Sequence, residues 1–283
     1  MSSSQKIAFV TGASRGIGKQ AALALAKKGF DVVVTARTLH EGEQHERGGT
    51  DSDTSAVSGS LDTTATEIRA LGQKALPIQL DLLDTESIER AIEQTLNEWG
   101  HIDVLLNNGL YQGPGTMSRV MDLNPEQMQK IYQGNVFSQL LLVQRCLSTM
   151  LKRDSGCIIN MVSESGTIDP PAPAGEGGWG FAYSSSKAAF IRMVGVLKVE
   201  HQNSNVKFYN VEPGFIVTEI MKEKGMAGDF ERFGGAPPTV PAAVIAWLAT
   251  DPEAATFHGQ TVSAQRQCRK LNLVPEWQPK RRS

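Results

Sequence analysis

Residues 7–18 read Ile-Ala-Phe-Val-Thr-Gly-Ala-Ser-Arg-Gly-Ile-Gly, an apolar run that passes directly into a glycine-rich turn. The run Ile7–Val10 is continuous rather than alternating, which is typical of a parallel strand buried on both faces. The turn is followed by an Ala- and Leu-rich segment that ends at Gly29 after two lysines, as expected of a helix C-terminus. Glycines between a strand and a helix let the backbone approach a phosphate at the positive end of that helix. The stretch therefore predicts a strand–turn–helix unit that binds a phosphate-bearing ligand.

The rest of the chain repeats this alternation of apolar strand and helical segment. Further strands are predicted at residues 31–35, 75–80, 104–106, 157–162, 206–211 and around 261–262. Helices are predicted at residues 63–71, 85–99, 125–152, 182–201 and 240–250. Such alternation with short links gives right-handed crossovers. We therefore predict an α/β fold, a doubly wound, mostly parallel seven-stranded sheet with helices on both faces.

Composition predicts a single domain over residues 1–283. The chain is 40% hydrophobic and 20% charged, which is typical of a globular protein. Residues 41–66 are rich in Gly, Ser, Thr and Asp, so we expect a flexible surface loop at 40–62. A linker between two domains is the alternative, but the two strands that precede the stretch could not form a core alone.

Charge and cysteine content limit the function classes. A formal net charge of −2 gives no reason to expect a nucleic-acid or membrane partner. The three cysteines are widely spaced and the five histidines lack ligand-like spacing, so neither a disulfide framework nor a metal site is expected. The N-terminal apolar run is too short for a signal peptide, and no stretch has the length of a membrane-spanning helix. We expect a cytoplasmic, enzyme-like domain.

The glycine spacing Thr11-Gly12-x-x-x-Gly16-x-Gly18 resembles that of the short-chain dehydrogenase/reductase family. Further short motifs follow in the family's order: Asp81-Leu82, Asn107-Asn108-Gly109, Asn135, Ser163, Tyr183-Ser-Ser-Ser-Lys187 and Pro213-Gly214. They fall at the predicted carboxyl ends of strands or in the helices beside them, where ligands bind in open α/β sheets. The resemblance runs from Lys6 to about Val262 and implies a dinucleotide-dependent oxidoreductase with a Rossmann-like fold.

The tip of the second predicted strand bears on which dinucleotide binds. The strand ends Val34-Thr35-Ala36-Arg37, without the acid that would accept hydrogen bonds from the adenosine ribose of NAD. Arg37 can instead pair with a 2′-phosphate, and Arg15 can add a second cation. In the family this pair implies NADP(H), which we expect in preference to NAD(H). Two solvated arginines are the alternative, and the acidic run Glu41–Glu46 would oppose a phosphate if it folded over the adenosine end.

The resemblance implies a wider set of cofactor contacts. They are Gly12, Ser14, Arg15, Gly16, Ile17, Gly18, Arg37, Asp81, Leu82, Asn108, Gly109, Tyr183, Lys187, Pro213, Gly214, Ile216 and Thr218. Asp81 is expected at the adenine edge, with the capping of a helix as its alternative role.

The predicted catalytic group is Tyr183, Lys187, Ser163 and Asn135. Tyr183 and Lys187 are four residues apart in a helical pattern, so both side chains lie on one face. A tyrosine with a pKa of about 10 is a poor base at neutral pH, and a nearby ammonium favours the phenolate. The Ser163 hydroxyl can hold the substrate oxygen, and the family implies a water-linked proton relay at Asn135. This predicts hydride transfer between nicotinamide C4 and a carbinol or carbonyl carbon.

Two segments are expected to cover the substrate. One is the Pro- and Gly-rich loop from Glu164 to Phe181, and the other lies near residues 218–238. The second segment carries Ile220, Met221, Met226, Phe230 and Phe233. Flexible Met and aromatic side chains suit a hydrophobic ligand, although they could equally pack on the domain or on a neighbouring subunit. We predict substrate contacts at Ser163, Glu164, Trp179 and Met221.

The chain departs from the family pattern at two places. Gly109-Leu110 stands where Ala-Gly is usual, and Ser263-Ala264-Gln265 stands where Asp-Gly-Gly is usual. The first departure bears on the turn after the fourth strand. The second bears on the exit of the last strand and on any cofactor or subunit contacts made there.

These features predict an NADP(H)-dependent enzyme that interconverts a secondary alcohol and a ketone, on a hydrophobic substrate of steroid-like or polyketide-like type. A 3-oxoacyl-carrier reductase is the first alternative, for which Lys222, Lys224 and Arg232 could meet an acidic carrier. A non-catalytic dinucleotide sensor or scaffold is the second, and the presence of the whole catalytic group argues against it. The resemblance implies a homodimer or homotetramer.

Overall fold

The computed structural model describes residues 5–223 and 235–277. One seven-stranded sheet has the order β3-β2-β1-β4-β5-β6-β7, and every neighbouring pair is parallel. Its strands are β1 Lys6–Thr11, β2 Phe30–Ala36, β3 Ala75–Gln79, β4 Val104–Asn107, β5 Cys157–Met161, β6 Lys207–Glu212 and β7 Thr261–Ser263. Each overlaps a predicted strand. The doubly wound α/β fold is therefore confirmed, and the chain order reverses between β1 and β4, where ligands bind in such sheets.

Helices cover both faces of the sheet. They are α1 Gly16–Lys27, α2 Leu61–Ala70, α3 Thr85–Trp99, α4 Pro125–Tyr132, α5 Ser138–Arg153, α6 Phe181–Glu200, α7 Glu219–Glu223, α8 Thr239–Thr250 and α9 Ala264–Leu271. Successive strand residues point to opposite faces. Ala8 and Val10 accordingly pack with α1, α2 and α8, whereas Ile7 and Phe9 pack with α3, α5 and α6.

The helix predicted at 125–152 is interrupted in the structure. Between α4 and α5, residues Gln133–Phe137 form a π-helical turn. Gly134 lies so close to the loop after β4 that an added Cβ would come 2.5 Å from Tyr111 Cβ. A π turn inserts one residue without breaking the helix and is common at functional sites. The polar and apolar periodicity of the segment gives no sign of it, because the contact with Tyr111 that accompanies it is tertiary.

Residues 37–60, which we call the β2–α2 segment, lie along the carboxyl edge of the sheet. Helix α2 begins at Leu61, two residues before its predicted start, because the Ser60 hydroxyl accepts a hydrogen bond from the Thr63 N–H at 3.1 Å. Within the segment, Arg47 and Asp53 form an antiparallel bridge. The Gly48 N–H donates to the Gln112 carbonyl at 2.8 Å, which joins the segment to the loop after β4.

Ile216 and Ala236, near the two ends of the segment predicted to cover the substrate, form a parallel bridge. The Val217 N–H donates to Ala236 O at 2.9 Å, and the Ala236 N–H donates to Phe215 O at 2.8 Å. Helix α7 occupies its first part, and Met221 lies on it. Lys224, Met226, Phe230, Arg232 and Phe233 lie outside the described residues.

Within residues 5–223 and 235–277, no helix combines the length and apolar character needed to cross a bilayer. The same ranges contain no group of three metal-ligating side chains. The three cysteines are buried free thiols.

Candidate active site

The glycine turn between β1 and α1 is shaped by close backbone contacts. Gly12 and Gly16 have φ of 66° and 57°, the left-handed region that favours glycine. At Gly18 an added Cβ would lie 2.1 Å from the Gly12 carbonyl oxygen, so only glycine fits. Arg15 is the N-cap of α1 and makes no side-chain cap hydrogen bond. The first N–H groups of α1 are therefore left for a ligand or water.

The end of β4 holds this turn in place. The Asn108 side-chain amide donates to Thr11 O at 3.0 Å and to Gly12 O at 3.2 Å. The Thr11 hydroxyl accepts from the N–H groups of Asn108 and Gly109 at 3.0 and 2.8 Å. A Cβ on Gly109 would lie 3.1 Å from the Gly12 nitrogen. The departure at Gly109 thus lets the two loops approach more closely than alanine would.

Tyr183 and Lys187 lie on α6, as predicted. Lys187 is 5% exposed, and its ammonium donates to the Met161 carbonyl at 2.9 Å. It lies 5.9 Å from the centre of the Tyr183 ring. Burial lowers the pKa of Lys187 to about 8. This lysine is therefore charged at neutral pH but loses its proton more readily than an exposed one.

A chain of hydroxyls joins the loop after β5 to Tyr183. The buried Ser165 donates from its hydroxyl to Ser163 Oγ at 3.0 Å, and the Ser165 N–H donates to the same atom at 3.3 Å. Ser163 in turn hydrogen-bonds with Tyr183. Because the Ser163 oxygen accepts twice from Ser165, Ser163 is the donor in its bond with the Tyr183 oxygen, which agrees with that bond lowering the pKa of Tyr183.

The pKa of Tyr183 lies above its ordinary value of about 10. Burial is the largest cause, and the negative charge of Glu212 adds to it, while the hydrogen bond with Ser163 opposes both. Glu212 ends β6, and its carboxylate accepts from the Gly214 N–H at 2.6 Å. Tyr183 is therefore a protonated phenol at neutral pH, which fits it to donate a proton.

Asn135 lies in the π-helical turn and is buried. Its Oδ1 accepts from the Tyr111 N–H at 2.7 Å, and its Nδ2 donates to Tyr111 O at 3.2 Å. Both polar atoms of the Asn135 side chain are therefore hydrogen-bonded to the backbone of the loop after β4. A proton relay at Asn135 would have to pass through its backbone.

Two neighbouring cavities lie along the carboxyl edge. Of the predicted cofactor contacts, the first cavity is lined by Gly12, Ser14, Arg15, Arg37, Asp81, Leu82, Asn108 and Gly109. The second is lined by Arg15, Gly16 and Thr218, together with Met221. Among described residues, the remaining predicted cofactor and catalytic residues lie outside both linings: Ile17, Gly18, Asn135, Ser163, Tyr183, Lys187, Pro213, Gly214 and Ile216.

Both predicted phosphate-binding arginines donate to carbonyls of the β2–α2 segment, to which Arg37 itself belongs. Arg15 donates to Ser58 O at 2.7 Å and to Gly59 O at 2.6 Å. Arg37 donates to Glu46 O at 2.9 Å. Glu41, Glu43 and Glu46 each accept a hydrogen bond within this segment, and Glu43 also lines the first cavity beside the two arginines. Glu41, for example, accepts from Gly59 N–H at 3.0 Å.

The predicted substrate contacts are spread along the edge. Glu164 is exposed, and its charge is felt at Glu212, whose pKa is raised mainly by burial. Trp179 has a buried indole N–H with no partner in residues 5–223 and 235–277. Met221 lines the second cavity. The structure thus brings Ser163 together with Tyr183 but places Met221 beside the glycine turn.

The second departure from the family pattern also reaches the site. The Gln265 amide donates to Phe215 O at 3.0 Å and packs on Gly214, whose φ is 73°. An added Cβ at Gly214 would lie 2.4 Å from Gln265 Nε2. Gln265 thus supports the turn after β6.

Sequence reasoning assigns no role to three residues that shape the site: Ser165, Glu212 and Arg47. The spacing from strand five favours Ser163 over Ser165 as the catalytic serine. Ser165 is two residues from Ser163, and the predicted fold already placed Glu212 at the end of a strand, so both had a positional signal. Arg47 lies in the polar stretch predicted as a loop, and nothing in the sequence points to the cavities that it lines.

A doubly wound parallel sheet with a glycine turn at its switch point, together with a Ser–Tyr–Lys group, defines the class of dinucleotide-dependent oxidoreductases. The chain belongs to the short-chain dehydrogenase family, whose model matches residues 6–58 and 53–227.

Relatives and solved structures agree with this membership. The chain is 32% identical over 261 residues to a 3-oxoacyl-[acyl-carrier-protein] reductase of Synechocystis sp., covering 90% of this chain and 94% of the relative. It is 31% identical over 215 residues to a cyclohexanol dehydrogenase of Rhodococcus sp., covering 75% of each. A crystal structure of an actinorhodin polyketide ketoreductase variant with NADPH superposes with a TM-score of 0.74. The two are 25% identical, and the match covers 93% of this chain and 97% of the other.

The residues present fit the nicotinamide dinucleotide that this family binds. An added Cβ at Gly16 would meet its nearest neighbour, Thr218 Cγ2, at 3.8 Å, so an atom can be accommodated at the start of α1 in ordinary van der Waals contact. The uncapped N–H groups there suit a diphosphate, and arginines line the adjoining cavities.

Proposed function

We propose that this chain is an NADP(H)-dependent oxidoreductase that interconverts a secondary alcohol and a ketone. The observation that carries the proposal is the hydroxyl chain from Ser165 through Ser163 to Tyr183, with the buried Lys187 ammonium beside it. A protonated phenol and an oriented hydroxyl together suit a carbonyl oxygen that gains a proton.

The mechanism assigns a task to each of these side chains. Ser163 donates a hydrogen bond to the carbonyl oxygen, and Ser165 fixes the orientation of that hydroxyl. Tyr183 transfers its proton to the same oxygen while the carbonyl carbon receives a hydride. The dinucleotide supplies the hydride from nicotinamide C4. Proton and hydride together reduce C=O to CH–OH, and the reverse transfers oxidise the alcohol.

Lys187 and Asn135 act beside the reacting atoms. The Lys187 ammonium stabilises the phenolate that remains on Tyr183 after proton transfer and can hydrogen-bond the nicotinamide ribose. Asn135 holds the loop after β4 at Tyr111, which keeps Asn108 and Gly109 against the glycine turn.

The pH dependence of reduction is expected to follow Lys187. Its pKa is about 8, so its charge is present below that pH and is lost above it. The raised pKa of Tyr183 keeps the phenol protonated through the same range. We therefore expect kcat/KM for reduction to fall as pH rises through about 8, in initial-rate measurements from pH 6 to 10. In Lys187→Arg the guanidinium stays charged, so the falling limb moves to higher pH. A limb that stays in place in this variant would contradict the assignment to Lys187.

Preference for NADP(H) is supported by Arg37 and Arg15. Both line the first cavity together with Ala36 and Thr38 at the tip of β2. An NAD-binding protein would be expected to carry an acid at this tip. The reductase of known structure that carries NADPH supports the same preference.

A hydrophobic ketone is supported by the side chains at this edge. Ile168 and Phe215 are 53% and 44% exposed and lie in the loops that follow β5 and β6. Exposed apolar side chains on loops around a site favour an apolar ligand. The relatives named above include one acting on cyclohexanol and one polyketide ketoreductase. A polyketide-like or cyclic ketone is therefore the proposed substrate class, ahead of a steroid-like one.

A substrate panel tests this proposal. Wild-type protein with NADPH would be mixed with cyclohexanone, a bicyclic polyketide-like ketone, a steroid ketone, and a 3-oxoacyl thioester on N-acetylcysteamine or on acyl carrier protein. Loss of absorbance at the NADPH band is expected with cyclohexanone and the bicyclic polyketide-like ketone. Turnover confined to the carrier-bound thioester would overturn the substrate proposal in favour of a 3-oxoacyl-carrier reductase. NADPH binding without turnover of any member would favour a sensor.

The proposal also includes a cytoplasmic homo-oligomer. Phe137 and Leu140 near the start of α5, and Val196 and Val199 near the end of α6, are exposed apolar side chains of the kind that a subunit interface would cover.

A further inference from the structure

The β2–α2 segment closes over the predicted cofactor site through contacts on both sides. On one side, Arg15 binds the carbonyls of Ser58 and Gly59. On the other, the Gly48 N–H donates to Gln112 O at 2.8 Å, and the Met117 N–H donates to Gly49 O at 2.9 Å. The segment therefore spans the opening between the glycine turn and the loop after β4.

Arg47 belongs to this segment and lines both cavities. Its side chain is 17% exposed. One terminal nitrogen, Nη2, is held by Asp53 at 3.3 Å and Ser55 at 2.7 Å. Its Nε is buried and has no hydrogen-bond partner within residues 5–223 and 235–277. A buried donor without an acceptor is costly, and a guanidinium suits a phosphate group.

We propose that Arg47 binds the diphosphate of the dinucleotide, as a residue that the β2–α2 segment adds to the site. This inference rests on the proposed function. The diphosphate is favoured over the 2′-phosphate because the second cavity joins Arg47 to Gly16 and Thr218. The tip of β2, with Ala36, Arg37 and Thr38, lines only the first cavity.

Glu219 acts against the diphosphate at the same place. Glu219 lines the second cavity, and its Oε2 lies 4.0 Å from where a Cβ of Gly16 would be. That oxygen is buried and unpaired in the described part of the chain. A carboxylate near a diphosphate is repelled, so the two side chains are expected to change dinucleotide affinity in opposite directions. Among the described residues, Arg15 and Asp53 are the other charged ones that line the second cavity. Asp53 forms an ion pair with Arg47.

Direct binding tests the assignment. NADPH and NADH would each be titrated by calorimetry into wild-type protein, Arg47→Ala, and the control Arg90→Ala. Arg90 is also an arginine paired with an aspartate, on α3 and 57% exposed. We expect Arg47→Ala to raise the Kd of both dinucleotides by about tenfold, because one charge-assisted hydrogen-bonding group is lost. Arg90→Ala should leave both values unchanged, and Glu219→Gln should lower both.

A second variant separates the position of Arg47 from its charge. At Gly48, whose φ is 144°, an added Cβ would lie 1.8 Å from Asp51 O. Gly48→Ala therefore displaces Arg47 while keeping its charge, and it should weaken both dinucleotides as well. Melting curves without dinucleotide check that each variant is folded.

The contradicting outcomes are distinct. Unchanged affinity of folded Arg47→Ala for both dinucleotides would overturn the proposal. A loss confined to NADPH would overturn the diphosphate assignment, because Arg47 would then contact the 2′-phosphate. A fall in affinity in Glu219→Gln would contradict the opposing roles. Wild-type protein that binds neither dinucleotide would instead overturn the proposed function.

Discussion

Replacing Tyr183 by phenylalanine is expected to lower kcat for ketone reduction by about 10³-fold, within the range of a lost general acid. The substitution removes the one proton donor that the hydrogen-bonded chain from Ser165 through Ser163 reaches. Because Tyr183 lies outside the lining of both described cavities, the Kd for NADPH should change by less than about threefold. Initial rates and a parallel NADPH titration measure the two quantities.

Tyr132→Phe is the matched control, since it deletes a hydroxyl from a half-buried tyrosine on α4. It should retain wild-type turnover. Full activity in Tyr183→Phe on a ketone that the wild type reduces would contradict the mechanism. Equal losses in the two variants would point to a general effect of deleting a tyrosine hydroxyl.

Charge reversal at Arg37 is expected to raise the Kd for NADPH by about 100-fold and to leave that for NADH within about threefold. A hydrogen bond between charged groups contributes about 1.5–3 kcal/mol, and each 1.4 kcal/mol is tenfold in affinity. Arg37→Asp also places a negative charge near the 2′-phosphate, while an acid at this position can accept hydrogen bonds from the ribose of NADH.

Arg266→Asp provides the control for charge reversal, because Arg266 is exposed and lies in the first turn of α9. It should change neither Kd. An equal loss of affinity for NADPH and NADH in Arg37→Asp would contradict this assignment. It would show that Arg37 stabilises the β2–α2 segment through its bond to Glu46 and does not bind the 2′-phosphate.

The sheet could be predicted because each strand is specified by a short run of consecutive residues. Continuous apolar runs such as Ile7–Val10 can be buried only between two helical layers, and all seven strands overlap their predicted ranges. The glycine turn could also be predicted from the sequence, because its conformation requires glycine: at Gly18 there is no room for a Cβ. Tyr183 and Lys187 share a helix face by spacing alone.

Features that depend on contacts between distant segments were not predictable. The π-helical turn contains Asn135, whose side chain accepts a hydrogen bond from the backbone of Tyr111, 24 residues away in the sequence. The predicted ammonium effect on Tyr183 is not the leading one, because Lys187 donates to Met161 O and burial raises the pKa of the phenol. Nor does composition reveal that the polar β2–α2 segment carries Arg47 into both cavities.

Transfer of deuterium from NADPH labelled at nicotinamide C4 tests hydride transfer most directly. Wild-type protein would be incubated with both C4 epimers of the labelled dinucleotide and with the ketone that responds best in the panel, and the alcohol would be analysed by mass spectrometry. We predict one deuterium on the carbinol carbon from one epimer and none from the other, with product formation reduced about 10³-fold in Tyr183→Phe. An alcohol that carries no deuterium from either epimer would contradict the proposed reaction.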